Sequence, residues 1–114
     1  MNDCLFCKIV SGDIPSDKIF ESELLIAFRD IDPVSPTHIL IIPKKHISSL
    51  NEMEDGDRLL AGEMLYCVKK IAKSEKIELS GYRTVINTNN DGGQTVFHIH
   101  IHLIGGRQME WPPG

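Results

Sequence analysis

The stretch Phe97-His98-Ile99-His100-Ile101-His102-Leu103 alternates apolar residues with histidines. Such a period-two pattern is typical of a β-strand, whose successive side chains point to opposite faces. We therefore predict a long strand over residues 95–104 in which the three histidines share one face. The four apolar residues, from Phe97 to Leu103, are expected to face the core.

Three histidines on one strand face support two kinds of chemistry. They could be ligands of a metal ion, since neutral imidazole binds zinc well. Alternatively, one imidazole could act as a nucleophile while its neighbours orient it and manage protons. The preceding loop, Asp91-Gly92-Gly93-Gln94-Thr95, favours the second interpretation because consecutive glycines can expose backbone N–H groups to an anion. Asn87 and Thr95 could add side-chain donors, which suits phosphate chemistry.

The rest of the chain predicts an α+β fold with a mostly antiparallel sheet and one main helix. Short apolar runs at 18–21, 24–29, 38–42 and 82–87 are typical of strands, and an amphipathic stripe predicts a helix over about 55–76. A short helix is expected near residues 7–11.

Length and charge limit the possible functions. The chain has 114 residues, enough for a single domain over 1–114, and its net charge of −4 disfavours nucleic acid as a partner. We find no run long enough to span a membrane and no secretory signal. Three cysteines suggest reduced thiols and a cytoplasmic location.

The histidine stretch resembles the histidine-triad motif, His-x-His-x-His-x-x with apolar x. Further segments are similar to the Hint branch of that family, and the similarity extends over nearly the whole chain. They are Phe28-Arg29-Asp30-Ile31, Pro36-Thr37-His38, residues 42–48 (IPKKHIS), residues 91–94 (DGGQ), residues 105–109 (GGRQM) and residues 111–114 (WPPG).

This resemblance implies a five-stranded antiparallel sheet that two subunits of a homodimer join into ten strands. It also implies hydrolysis of purine nucleoside 5′-phosphoramidates through a nucleotidyl-histidine. His100 matches the nucleophile and His102 matches the residue that contacts the phosphate. His38 matches a histidine with an orienting role that also helps to relay protons. His98 completes the triad. No Walker-type loop or magnesium site is recognisable, so we expect no catalytic metal.

The resemblance also assigns a purine nucleotide site. Asn87, Gly93, Gln94 and Thr95 match phosphate-contacting positions, and Asp30 matches the ribose-hydroxyl acceptor. The purine pocket is matched by Leu5, Phe6, Ile9, Phe28, Ile31 and Leu40. Arg29 stands where close relatives often carry histidine, which bears on the choice between adenine and guanine.

Cys4-Leu5-Phe6-Cys7 has three possible interpretations: a redox pair, two inert thiols or half of a zinc site. A redox pair would need a preceding strand, which is missing, and a zinc site would need two further ligands. Some histidine-triad proteins supply those ligands from the positions of His46 and His98. The resemblance thus implies one structural zinc per subunit.

Trp111 lies in a tail that could pack on its own subunit or cross the dimer, and the resemblance favours the crossing. Three other functions stay open: a nucleotide-binding regulatory module with incidental hydrolysis, a dinucleoside polyphosphate hydrolase, and a metallohydrolase with the three histidines as zinc ligands.

Overall fold

The computed structural model describes residues 3–114 and contains two helices and one five-stranded sheet. In chain order the elements are α1 (Leu5–Ser11), β1 (Lys18–Glu21), β2 (Leu25–Arg29), β3 (Thr37–Pro43), α2 (Arg58–Ser74), β4 (Tyr82–Val85) and β5 (Ile101–Gly105). Two single 3₁₀ turns, Leu50–Glu52 and Asp55–Asp57, precede α2. The predicted fold class is therefore confirmed.

All neighbouring strands of the sheet run antiparallel, in the order β1-β2-β3-β5-β4. The register pairs Phe28 with Leu40 and Leu40 with His102. Since side chains alternate along each strand, this register puts the even-numbered residues of β2, β3 and β5 on one face. That face carries the candidate site.

The odd-numbered residues of these strands form a continuous core with the amphipathic helix α2. Ile39, Ile41, Ile101 and Leu103 are at most 1% exposed there, and Met64 of α2 packs among them. A second core on the other face consists of Phe6 and Ile9 of α1 with four residues of β2 and β3. Helix α1 is therefore packed against the face that carries the histidines.

Helix α2 is shorter than the predicted range of 55–76. Residues 55–57 form a 3₁₀ turn because the buried Asp57 carboxylate accepts the Glu54 backbone N–H at 2.9 Å, and α2 starts after it. At the other end Lys76 has a φ of +62°, which a helix cannot continue. Among the residues the structure describes, none belongs to a helix long and apolar enough to cross a membrane.

The strand predicted over 95–104 is wrong in its first half, because regular pairing begins only at Ile101. Pro43 lies at the end of β3 and has no N–H, and its carbonyl lies 2.7 Å from His98 Nε2. In the described residues before Ile101, one backbone hydrogen bond joins this segment to the chain after β3, from the Ile99 N–H to the Ile47 carbonyl. Phe97, predicted to face the core, is 49% exposed, because the chain bends at 96–98.

The loop before the histidines depends on its glycines. A Cβ on Gly92 would lie 2.5 Å from the Thr88 carbonyl oxygen, and Gly93 has a φ of +81°. Any other residue at these positions would meet the backbone or adopt a strained conformation. The glycines therefore allow the tight turn that returns the chain to β5.

Candidate active site and metal centre

A cavity of about 260 Å³ lies between α1 and the even-numbered face of the sheet. We call it the α1 cavity. All six residues of the predicted purine pocket line it: Leu5, Phe6, Ile9, Phe28, Ile31 and Leu40. Asp30, Thr95, His100 and His102 stand along the same cavity. The apolar wall and the polar groups therefore occupy one space, as a ligand with an apolar ring and a charged end requires.

His100 is held in one tautomer by its backbone surroundings. Its Nδ1 lies 2.8 Å from the His98 carbonyl oxygen and donates to it, so Nε2 keeps its lone pair. The edge-on ring of Phe6 packs against the imidazole, with centroids 5.0 Å apart. His100 is only 6% exposed, and this burial lowers its pKa, so the imidazole is neutral near pH 7. A neutral, oriented imidazole is competent as a nucleophile.

His102 receives a hydrogen bond from His38. The Val34 N–H donates to His38 Nδ1 at 3.2 Å, so His38 carries its proton on Nε2 and donates to His102 Nδ1 at 2.9 Å. His102 consequently carries its own proton on Nε2. Burial, with the neighbouring His100 and His38, lowers the pKa of His102 to about 4. A neutral His102 can therefore offer an N–H to an anion.

Asp30 lies beside this pair, with one carboxylate oxygen 3.5 Å from His38 Nε2. Its other oxygen accepts the backbone N–H of Asp32 at 2.8 Å, which fixes the carboxylate at the end of β2. Asp30, His38 and His102 form one of two potential metal-binding groups among the described residues. The ring centroids of His38 and His102 are 5.2 Å apart for a nitrogen separation of 2.9 Å, so these nitrogens point at each other. That is the arrangement of a hydrogen bond and not of two ligands converging on an ion.

Four residues of the predicted nucleotide site lie outside the lining of the α1 cavity: Asn87, Gly93, Gln94 and Trp111. The backbone N–H groups of Gly93 and Gln94 bond to the carbonyls of Asn90 and Asn89, so they are occupied within the loop. The Gln94 amide is buried and donates to the carbonyls of Ser48 and Val96. Gln94 therefore fixes the loop, and Thr95 is the loop residue that faces the cavity.

Arg29 is among the residues that line the α1 cavity, but its guanidinium is directed to the opposite face of the sheet. Its guanidinium forms two 2.9 Å hydrogen bonds with the Glu75 carboxylate, at the end of α2. Arg29 alternates with Phe28, so it shares the face of Leu25 and Ala27. This alternation was available in the sequence and groups the Arg29 side chain with Leu25 and Ala27, but it does not identify the partner Glu75.

Trp111 is 83% exposed in the tail, and the preceding Glu110 carbonyl accepts a hydrogen bond from Arg83 of β4. The tail therefore lies beside the edge strand. Sequence reasoning missed four residues that line the cavity: Ile14, Pro15, Ser16 and Val96. Two weak signals were present, the apolar Ile14-Pro15 pair between polar residues and the position of Val96 two residues before His98.

The second potential metal-binding group consists of Cys4, Cys7, His46 and His98. Cys4 is the N-cap of α1 and Cys7 lies in its first turn, while His46 follows β3 and His98 precedes β5. His98 Nε2 donates to the Pro43 carbonyl at 2.7 Å, so its Nδ1 lone pair faces the cysteines. Such a hydrogen bond is the usual support of a metal-binding histidine.

The spacing of this group fits a tetrahedral ion. With zinc–sulfur bonds of about 2.3 Å and zinc–nitrogen bonds of about 2.0–2.1 Å, the sulfur–nitrogen edges are about 3.5 Å and the nitrogen–nitrogen edge about 3.3 Å. The sulfur–nitrogen separations are 3.4 Å from Cys4 to His98, 3.3 Å from Cys7 to His46 and 3.5 Å from Cys7 to His98. The two Nδ1 atoms are 3.3 Å apart. Four soft or borderline ligands at these distances suit zinc.

The three triad histidines do not converge on one ion. His98 is directed to the cysteines, His100 to the cavity and His102 to His38, and neither potential metal-binding group within residues 3–114 contains all three. The sequence-based alternative of a three-histidine zinc site is therefore wrong for this arrangement. The sequence alternation is equally compatible with three metal ligands and with a nucleophilic histidine, so it could not distinguish these two interpretations.

The sequence is similar to a family model and to curated proteins. The family model described as "HIT domain" matches residues 11–109. An uncharacterised HIT-like protein of Synechococcus elongatus is 51% identical over 98% of this chain and 97% of its own. A 14 kDa zinc-binding protein of Zea mays is 50% identical over 96% of this chain and 87% of its own.

Solved structures are similar over the same range. A HIT family hydrolase from Legionella pneumophila has a TM-score of 0.97 and 54% identity, covering 98% of this chain and 100% of its own. A histidine triad nucleotide-binding protein from Candida albicans has a TM-score of 0.83 and 34% identity, covering 96% of this chain and 83% of its own. The fold and the ordered histidines define a histidine-triad protein, and the chain belongs to the HIT family.

Proposed function

We propose that this protein hydrolyses purine nucleoside 5′-phosphoramidates through a nucleotidyl-histidine formed on His100. The observation that carries the proposal is the bond from His100 Nδ1 to the His98 carbonyl, which leaves Nε2 with a lone pair beside the apolar cavity. The names of the Legionella hydrolase and the Candida nucleotide-binding protein support the same class of function.

In the first step, His100 Nε2 attacks the α-phosphorus and the phosphorus–nitrogen bond of the substrate breaks. The amine leaves with its electron pair and takes up a proton. Positive charge develops on the His100 ring, and the His98 carbonyl that accepts its Nδ1–H stabilises that charge. In the second step, water attacks the phosphorus, the bond to His100 breaks and the nucleoside monophosphate is released with loss of one proton.

The other residues position the nucleotide. The Nε2–H of His102 donates to a phosphoryl oxygen, and the Thr95 hydroxyl adds a second donor. Asp30 accepts hydrogen bonds from the ribose hydroxyls. The purine ring packs between Phe6, Phe28 and the other apolar residues that line the α1 cavity.

We also propose one structural zinc per subunit on Cys4, Cys7, His46 and His98. The four separations support it, and the Zea mays relative is named as zinc-binding. An ion at this place would join α1 to the sheet. Purified protein is expected to contain one zinc per chain by elemental analysis, and Cys7→Ser should lose it. We place the protein in the cytoplasm, where such thiols stay reduced.

A homodimer with a ten-stranded sheet is the third part of the proposal. Strand β4 lies at one end of the sheet order, and the edge of a strand pairs readily with another chain. The exposed Trp111 lies in the tail next to this edge, where it could reach a second subunit. Sedimentation equilibrium should give twice the chain mass.

Rapid mixing with an adenosine 5′-phosphoramidate followed by intact-protein mass spectrometry tests the reaction. Wild type should show a transient adduct of one adenylyl group and release AMP and amine. His100→Gly should show neither, while still binding AMP in calorimetry. AMP release that is as fast in His100→Gly as in wild type would refute the covalent route. Nucleotide binding without turnover in wild type would instead identify a binding module.

A further inference from the structure

Helix α1 takes part in both candidate sites. Its N-cap Cys4 and first-turn Cys7 belong to the metal-binding group, while Leu5, Phe6 and Ile9 line the α1 cavity. One seven-residue helix, with its N-cap, therefore supplies two ligands to one site and three wall residues to the other.

His98 and Phe6 form a second connection between the sites. His98 Nδ1 faces the cysteines, and the carbonyl of the same residue accepts the Nδ1–H of His100. The Phe6 ring contacts both imidazoles edge-on, with centroids 6.0 Å from His98 and 5.0 Å from His100. A shift of α1 would therefore disturb both histidines.

Little besides these contacts holds α1 in place. A helix of seven residues is unstable by itself, because its hydrogen bonds do not offset the cost of nucleation. Within the part of the chain that the structure describes, the backbone hydrogen bonds of residues 4–14 stay inside this segment. Attachment to the sheet consists of the packing of Phe6 and Ile9, which are 4% and 7% exposed, with the partly buried Val10 and Ile14 beside them, and of the cysteine–histidine group.

We propose that docking of α1 on the sheet couples the metal centre to the nucleotide cavity, so that zinc and nucleotide each raise the affinity for the other. The inference rests on the proposed function, because it takes AMP and zinc as the ligands. Both sites are complete only when α1 is docked, since each combines residues of α1 or its N-cap with residues in or next to the strands of the sheet. In such a linkage the two affinity ratios are equal, and couplings of this kind are typically about 5- to 150-fold. Phe6 and His98 are positioning residues in this linkage.

Two measurements on the full chain test the coupling. Calorimetry compares the dissociation constant of AMP in zinc-loaded protein and in protein stripped with a chelator, and the stripped form should bind at least about fivefold more weakly. Competition with a chromogenic chelator then measures zinc affinity with and without saturating AMP, which should raise that affinity by the same factor. The second measurement starts from loaded protein, so it does not depend on the folding of the stripped form.

Hydrogen exchange identifies the coupling element. Amides of residues 5–11 should exchange faster after zinc removal and slow again when AMP is added. Phe6→Leu loses the ring but stays apolar. In this variant the factor by which AMP raises zinc affinity should be at least about twofold smaller than in wild type. Leu79→Ala is the matched control, because Leu79 is 94% exposed and outside both sites.

The outcomes separate this inference from the proposed function. An AMP affinity that is the same in loaded and stripped protein, or a zinc affinity that AMP does not change, would overturn the coupling alone. Failure of loaded protein to bind AMP would overturn the proposed function and the coupling together. Failure to bind zinc would overturn the metal centre and, with it, the coupling.

Discussion

Replacement of His38 by phenylalanine tests whether His38 fixes the tautomer of His102. Phenylalanine keeps an aromatic ring at a position that is 5% exposed, but it removes the Nε2–H that donates to His102 at 2.9 Å. His102 is then able to carry its proton on either nitrogen. The fraction of molecules that present an Nε2–H to the phosphate falls, and the ring loses one of its restraints.

The magnitude follows from the bond that is lost. A buried hydrogen bond contributes about 0.5–1.5 kcal/mol, and leaving one partner unsatisfied costs about 1–3 kcal/mol. Since about 1.36 kcal/mol corresponds to a tenfold change in rate, a loss of about 1–3 kcal/mol predicts a fall in kcat/KM of about 5- to 150-fold. The exposed Val34, which loses its acceptor, can bond to water and adds little.

Steady-state hydrolysis of an adenosine 5′-phosphoramidate measures the effect, with the AMP dissociation constant as a check that the cavity is intact. Asp30→Asn is the comparison variant: it keeps the hydrogen bond between the histidines and removes the charge 3.5 Å from His38. We expect that variant to bind AMP more weakly, with a smaller change in kcat. A His38→Phe protein within twofold of wild type in kcat/KM would refute the reasoning, because the tautomer of His102 would then not matter.

Three further predictions concern stability. Asp57→Ala removes the hydrogen bonds with Lys45 at 2.6 Å and with the Glu54 N–H, and should lower the free energy of unfolding in urea by about 2 kcal/mol. Asp57→Asn should lower that free energy by about half as much. An equal loss in both variants would contradict the role of the carboxylate charge. Met64→Ala, at a position that is 1% exposed under the sheet, should cost about 2–5 kcal/mol, and a cost below about 1 kcal/mol would contradict the packing of α2. The third prediction concerns pH. The pKa of His102 is about 4 in the folded state and about 6.5 in the unfolded chain, so the unfolded chain binds more protons between these values. The free energy of unfolding therefore falls as the pH drops from about 6.5 to about 4. His102→Gln should reduce that acid-induced loss by about 1–2 kcal/mol after allowance for partial exposure, and equal pH slopes in both proteins would contradict the lowered pKa.

The sequence was sufficient for the parts of the site that depend on alternation and composition. Alternation groups the residues of one face within a strand, such as Ile26 and Phe28 of β2, whereas the grouping of Phe28, Leu40 and His102 also needs the register between the strands. The resemblance added the ligand sets, and the Cys4–Cys7 group with His46 and His98 lies at distances that a tetrahedral ion requires.

Other features could not be predicted because they depend on contacts distant in the sequence. The resemblance implies that Gln94 contacts phosphate, but its amide donates to the carbonyls of Val96 and of Ser48, which lies 46 positions away. The guanidinium of Arg29 meets Glu75 at the end of a helix 46 positions away. Such choices between a ligand and an internal partner depend on tertiary packing, which no local pattern encodes.

The early end of the β3–β5 ladder shows why the failed strand prediction matters for the chemistry. In a regular antiparallel ladder the carbonyl of His98 would bond to a neighbouring strand. Because the pairing of β5 with β3 and β4 begins only at residues 101 and 102, the His98 carbonyl lies outside both ladders and accepts the Nδ1–H of His100. The same interruption directs His98 Nδ1 to the cysteines. Two backbone carbonyls, those of Pro43 and His98, therefore fix the tautomers of a proposed metal ligand and of the proposed nucleophile.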